Sequence, residues 1–238
     1  MKFISFFAGI GGIDLGLERA GHECVGQCEI DPYALKVLAK HWPDVPRFGD
    51  ITKVDPNELP EADLWAGGFP CQDISCAGKQ AGITGSRSGL FFDWMRLATK
   101  VRPRYMLLEN VSALINGGLS TVLGTLAACG YDAEWDCIPA QAVGAPHRRD
   151  RIFIVANTNG GSGQSGRKTN GICVFDGDQG PLISFRSNEG RTQWAVEPQV
   201  GRVANGVPCR VDRLRCLGNA VVPQVAEYIG KLLKETEK

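Results

Sequence analysis

Three short segments of this 238-residue chain hold side chains whose type and spacing could do chemistry, and a fourth could cradle a ligand. Gly67-Gly68-Phe69-Pro70-Cys71-Gln72 sets a cysteine behind a proline in a glycine-rich loop. The thiolate form is a nucleophile, and a positive surrounding favours it. Leu107-Leu108-Glu109-Asn110-Val111 closes an apolar run on a carboxylate. Burying that anion is costly, so Glu109 needs a partner or a raised pKa, and both are marks of an acid catalyst or substrate clamp. Arg149 and Arg151, in Ala145-Pro146-His147-Arg148-Arg149-Asp150-Arg151, would share one face of an extended chain. Two guanidinium groups there could hold a phosphate or orient a carboxylate. Phe7-Ala8-Gly9-Ile10-Gly11-Gly12 supplies no reacting group, but a glycine-rich turn between strand and helix lets the backbone approach a ligand. Each segment has a bland reading taken singly: a loop cysteine, a capping carboxylate, a salt-bridged strand entrance, a tight turn.

The elements around these residues bring them to one edge. Phe3–Phe7 reads as a buried strand, and Ile13, Leu17 and Ala20 mark one face of the helix that Gly21 ends. Cys24–Cys28 is a second strand, and Asp31-Pro32 caps a helix that turns Leu35, Leu38 and Ala39 inward. Residues 62–66, 105–109, 131–138 and 151–156 read as further strands, with helices over 90–99 and 119–128. Alternating strands and helices predict an α/β fold, a mostly parallel sheet covered on both faces. Glu29 and Asp50 then fall at the carboxyl ends of two strands beside the glycine turn, where ligands bind. Acids at those ends could hold ribose hydroxyls and an adenine amino group, which favours an adenosine cofactor. A final helix is expected to open at Gly218-Asn219, with Val222, Val225, Ile229 and Leu232 inward.

Composition narrows the class. The chain is 43% hydrophobic with 26 basic and 26 acidic residues. It is neither a disordered polyelectrolyte nor a uniformly basic coat, so any nucleic-acid contact must come from a local patch. No run of eighteen apolar residues would span a membrane, and the amino terminus is unlike a cleavable signal peptide. Nine cysteines without a CxxC pair, beside three histidines, argue against zinc and for reduced, mostly buried thiols. Residues 157–205 hold nine of the thirty glycines and little apolar periodicity, marking an irregular insert.

Read in order, these segments closely resemble the DNA (cytosine-5)-methyltransferase family, with Leu217-Gly218-Asn219-Ala220-Val221-Val222-Pro223 as a fifth motif. The resemblance covers residues 3–156 and about 210–232 and leaves the insert unmatched. It implies a Rossmann-like, S-adenosylmethionine-dependent methyltransferase fold, with residues 1–156 and 206–238 as the catalytic unit and 157–205 as a small target-recognition region. It implies methylation of cytosine C5 in double-stranded DNA. Cys71 would add to C6 of a flipped-out base, Glu109 would bond N3 and the exocyclic amine, and Arg149 and Arg151 would orient the base and the carboxylate. The cofactor would be held by Phe7, Gly9, Gly11, Gly12, Glu29, Ile30, Asp50, Ile51, Pro70 and Asn219. Ile30 stands where the family commonly has tryptophan, and His147 where its arginine motif usually begins with glutamine. Ser75, Lys79 and Arg87 would touch DNA from a closing loop, and Arg186 and Arg191 from the insert. No metal or membrane is implied; a monomer in the cytoplasm of a bacterial or phage-infected cell is expected, with a restriction endonuclease as a genetic partner.

Three other readings stand beside it. A same-fold enzyme acting on RNA cytosine fits the short insert. A non-catalytic DNA-binding relative would not need Cys71, Glu109 and Arg151 together. A nicotinamide oxidoreductase could use a glycine turn, but Gly9-x-Gly11-Gly12 departs from the usual dinucleotide spacing.

Overall fold

The computed structural model describes residues 1–70, 89–158 and 210–236. Seven strands form one sheet: β1 (Lys2–Phe6), β2 (Glu23–Cys28), β3 (Arg47–Phe48), β4 (Leu64–Gly68), β5 (Tyr105–Val111), β6 (Tyr131–Pro139) and β7 (Asp150–Thr158). Their order is β3-β2-β1-β4-β5-β7-β6. Pairing is parallel from β3 across to β5, whereas β7 runs antiparallel to both its neighbours. The chain steps outward from β1 in one direction and returns to start β4 on the other side. The carboxyl ends of β1 and β4 therefore flank the point where strand order reverses, the usual crevice for ligands in such sheets.

Helices cover both faces: α1 (Gly12–Arg19), α2 (Pro32–His41), α3 (Gly89–Val101), α4 (Leu114–Gly117), α5 (Leu119–Ala128), α6 (Arg210–Asn219) and α7 (Pro223–Glu235). Strand alternation sorts the core into two layers. Ile4, Trp65, Met106, Leu108, Ile152 and Ile154 face α3 and α5. Phe3, Leu64, Ala66, Leu107, Phe153 and Val155 face α1 and α7. Both faces being buried, the central strands read as continuous apolar runs rather than alternating ones.

Local chemistry explains the start of α2 and the end of α1. Asp31 Oδ1 accepts from the Tyr33 and Ala34 amides at 2.9 and 3.0 Å, and Pro32 opens α2. Gly21, with φ at 87°, follows α1 and lets the chain leave it. Several details differ from the sequence reading. β4 starts two residues later, at Leu64. β5 continues past Glu109, because β7 pairs with it as far as Val111. In α2 it is Ala34 and Leu38 that are buried, while Ala39 is exposed. Gly218 and Asn219 end α6, and α7 begins at Pro223, whose missing amide costs nothing at a helix start. The α7 face then runs through Val225, Ala226, Ile229 and Leu233.

α1 and α7 approach so closely at Gly16 that this position has no room for a side chain. A Cβ added to Gly16 would lie 2.3 Å from the Pro223 carbonyl oxygen and 2.6 Å from Ala226 Cβ. One added to Gly12 would lie 2.5 Å from the Val221 carbonyl oxygen. In a free helix, alanine would beat glycine by about 1 kcal/mol. Here Gly16→Ala is expected to lower stability, by about 1–3 kcal/mol, as overpacking does. Urea denaturation checks it; a more stable variant would mean that the two helices do not pack this closely.

Candidate functional site

A cavity of about 520 Å³ opens at the switch point between β1 and β4. Of the residues expected to hold a cofactor, Phe7, Gly9, Gly12, Glu29 and Ile30 line it. Asp50, Ile51, Pro70 and Asn219 line it as well. Gly11 does not: it stands behind the turn at φ 81°, with Trp42 where its side chain would be. Glu109 and Arg151 reach the same cavity, and Arg149 does not. Cys71, Ser75, Lys79, Arg87, Arg186 and Arg191 lie outside the described residues.

The glycine turn is stapled to the second strand by an acid. Glu29 Oε2 accepts from the Gly9 amide at 2.7 Å, and Oε1 accepts from the amides of Ile30 and Asp31 at 2.8 and 2.7 Å. A carboxylate offers about four acceptor positions. Three serve the backbone, so Glu29 keeps about one for a ligand, fewer than two ribose hydroxyls would use. Phe7 takes a left-handed φ of 53° as β1 ends, and its ring meets Trp94 edge-on. Ile30 stays 65% exposed in the cavity wall and gives it apolar surface. Asp50 caps a short 3₁₀ turn by accepting from Thr52, and those bonds hold its carboxyl below the ordinary carboxylate range. Acids at one end and apolar rings and aliphatics beside them suit a ligand with hydroxyl or amine donors and a flat apolar part.

Glu109 is built into the opposite wall. It lies opposite Gly68 in the parallel β4–β5 register, where a Cβ would stand 2.5 Å from its Oε2. Glycine at 68 is what makes space for the carboxylate. Across the antiparallel β5–β7 pair, Glu109 faces Phe153 and Val111 faces Arg151. Glu109 and Arg151 are thus diagonal neighbours on one face, within reach of long side chains. Arg151 Nε stands 3.0 Å from Glu109 Oε1, close but not aligned as a hydrogen bond. Burial pushes the Glu109 carboxyl up to about 7, against the pull of Arg151 and then Arg149. Next to it, Asn110 Nδ2 donates to the Phe69 carbonyl at 3.2 Å, tying the end of β5 to the segment that leads into Cys71.

The two arginines part company. Arg149 sits at φ 40°, just before β7 begins, so strand alternation does not pair it with Arg151. Its Nη2 donates to the carbonyls of Gly218 and Ala220 at 2.7 and 2.6 Å.

Other lining residues escaped the sequence reading. Arg215 and Cys216 on α6 enter the cavity wall, and Arg215 bonds the Asp31 carboxylate that caps α2. The partners are 184 positions apart, so no local spacing announces the pair. Asn110 had a signal in its place beside Glu109.

Comparison with known proteins gives the family and the fold. The family model for C-5 cytosine-specific DNA methylases matches residues 1–173. The chain belongs to that family. Type II methyltransferase M2.BsuMI of Bacillus subtilis is 42% identical over 165 residues, covering 66% of this chain and 42% of the relative. Type II methyltransferase M.NgoBV of Neisseria gonorrhoeae is 37% identical over 174 residues, covering 66% and 41%. The chain thus spans about two fifths of the length of these curated relatives. The solved DNMT2 structure of Spodoptera frugiperda matches 71% of this chain and 53% of its own at a TM-score of 0.57 and 22% identity, a likeness of fold. The Rossmann-like methyltransferase fold expected from the motifs is the fold found.

The raised Glu109 value has a consequence for stability with a definite sign. In the unfolded chain the proton leaves near 4.5, in the folded protein near 7. Between these values the folded state binds more protons, so stability from this group is highest below about 4.5 and falls as pH rises to about 7. Glu109→Gln should therefore gain on the wild type across that window and hold the gain above it. Urea midpoints from pH 4 to 8 test this; parallel profiles for the two proteins would place the Glu109 titration elsewhere.

Proposed function

We propose that this chain carries the methyl-transferring unit of a DNA cytosine-C5 methyltransferase that uses S-adenosylmethionine. The observation that carries the reading is Glu109. It is a nearly buried carboxyl, 3.0 Å from Arg151, opening onto the same cavity as Glu29 and Asp50. The cavity fits the cofactor: Glu29 has one acceptor left for a ribose hydroxyl, Asp50 suits an adenine amine, and Phe7, Ile30 and Ile51 offer apolar surface to the base. Gly9, Gly12, Pro70 and Asn219 complete the wall, and Gly11 acts from behind the turn. When bound, the cofactor supplies an electrophilic methyl group on a sulfonium.

Cytosine C5 is a poor nucleophile, and the proposed residues change that. The Cys71 thiolate adds to C6 while Glu109 gives its proton to N3, so the ring electron pair comes to rest on C5. With C5 so activated toward the methyl donor, loss of the C5 proton to a base and return of the N3 proton to Glu109 would let the C6–S bond break, which releases Cys71 and restores the ring. A carboxyl that holds its proton up to about pH 7 is suited to the protonation step, and Arg151 keeps it aimed. The target base must leave the duplex stack, at a cost of a few kcal/mol. Ser75, Lys79 and Arg87 are proposed to contact the DNA backbone, and residues 157–205, with Arg186 and Arg191, to read the target. A restriction endonuclease as genetic partner belongs to the same proposal.

Bisulfite sequencing of DNA from cells expressing the chain tests the activity and reads the target together. Cys71→Ser should abolish turnover and lose the covalent adduct that wild type forms on DNA carrying 5-fluorocytosine. Glu109→Gln should slow methylation by roughly 10²–10⁴-fold. Transfer of methyl groups to RNA alone, or wild-type turnover in Cys71→Ser, would overturn the proposal.

A further inference from the structure

We infer that Arg149 is a positioning residue for the cofactor half of the site, acting by fixing the Gly218–Ala220 junction and through it Asn219. This rests on the function proposed above only for what fills the cavity. One guanidinium nitrogen bridges the two carbonyls that flank Asn219, at 2.7 and 2.6 Å. The Gly218 carbonyl belongs to the last turn of α6, where carbonyls lack helical partners and the helix end is negative. A cation answers both needs at once, with charge-assisted bonds. Asn219 itself lines the cavity while Arg149 does not.

Two further contacts make the link rigid. The Ala140 amide donates to the Arg149 carbonyl at 3.3 Å, which ties the β6–β7 connection to it. On the far side of the junction, the Val221 carbonyl lies where a Gly12 side chain would be. The junction is thereby held between Arg149 and the glycine turn. Arg149 also keeps a left-handed φ of 40°, a conformation that survives only when its surroundings enforce it. The two arginines divide the labour: Arg151 addresses Glu109, and Arg149 addresses the helix junction beside the cofactor.

Calorimetric titration with S-adenosylhomocysteine, without DNA, tests this. Arg149→Ala should weaken binding roughly tenfold or more, as loss of charge-assisted bonds does. Arg149→Lys should restore part of it, since an ammonium can still donate to those carbonyls. Arg149→Ala combined with Asn219→Ala should bind no worse than Asn219→Ala alone, because one residue acts through the other. Arg151→Ala should bind the cofactor product as wild type does while losing turnover. If Arg149→Ala does not fold, Arg149→Lys against Asn219→Ala carries the same cycle. Unchanged affinity in an Arg149→Ala protein that has lost turnover, or strictly additive losses in the cycle, would overturn the inference and leave the proposed function standing. A wild-type protein that fails to bind S-adenosylhomocysteine would end both.

Discussion

A carboxylate at the end of a buried strand is the constraint around which this site is arranged. Glu109 sits in the interior because Gly68 gives it space and Arg151 offsets part of its charge. That pairing depends on the direction of one strand. β7 runs antiparallel to β5, so its first residues arrive at the carboxyl edge of the sheet. A parallel strand in that place would start at the opposite edge, a strand length away, and its entering arginine could not reach Glu109. Among the described strands, this reversed one is thus what brings Arg151 to the edge where the cavity opens.

The rest of that edge is set by the reversal of strand order. The turn after β1 and residues Phe69 and Pro70 after β4 line the cavity there. Glu29 spends most of its acceptor capacity on the Gly9, Ile30 and Asp31 amides, so the wall is held in shape by the protein's own bonds. α6 closes the side, through the bond between Arg215 and the Asp31 cap, and α7 locks onto α1 through glycines that admit no side chain. A preorganised wall of this kind costs less to order when a ligand arrives.

Much of this was legible in the residues. The capped start of α2, the glycine after α1, and the apolar runs of β1 and β5 all carry local signals, because caps and strand burial depend on neighbours in the chain. Glu109, which lines the cavity, stood out as a candidate for the same reason, since a carboxylate ending a buried run demands an explanation. The Arg149–Arg151 pair was misread in one respect. Alternation assumes a regular strand, and the left-handed residue at 149 breaks it. The start of the last helix was placed too early because Gly218-Asn219 resembles an opening, whereas it closes α6.

By itself, the order of residue types determined the α/β class, the family and the acids at the strand ends, since periodicity and motif spacing are properties of the chain alone. Only the tertiary structure decided which groups meet: Arg215 with Asp31, Arg149 with the Gly218–Ala220 carbonyls, Asn110 with the Phe69 carbonyl. Those contacts join positions between 41 and 184 apart. Hydrogen bonds reach about 3 Å, and no local pattern tells which distant backbone will be folded to within that distance.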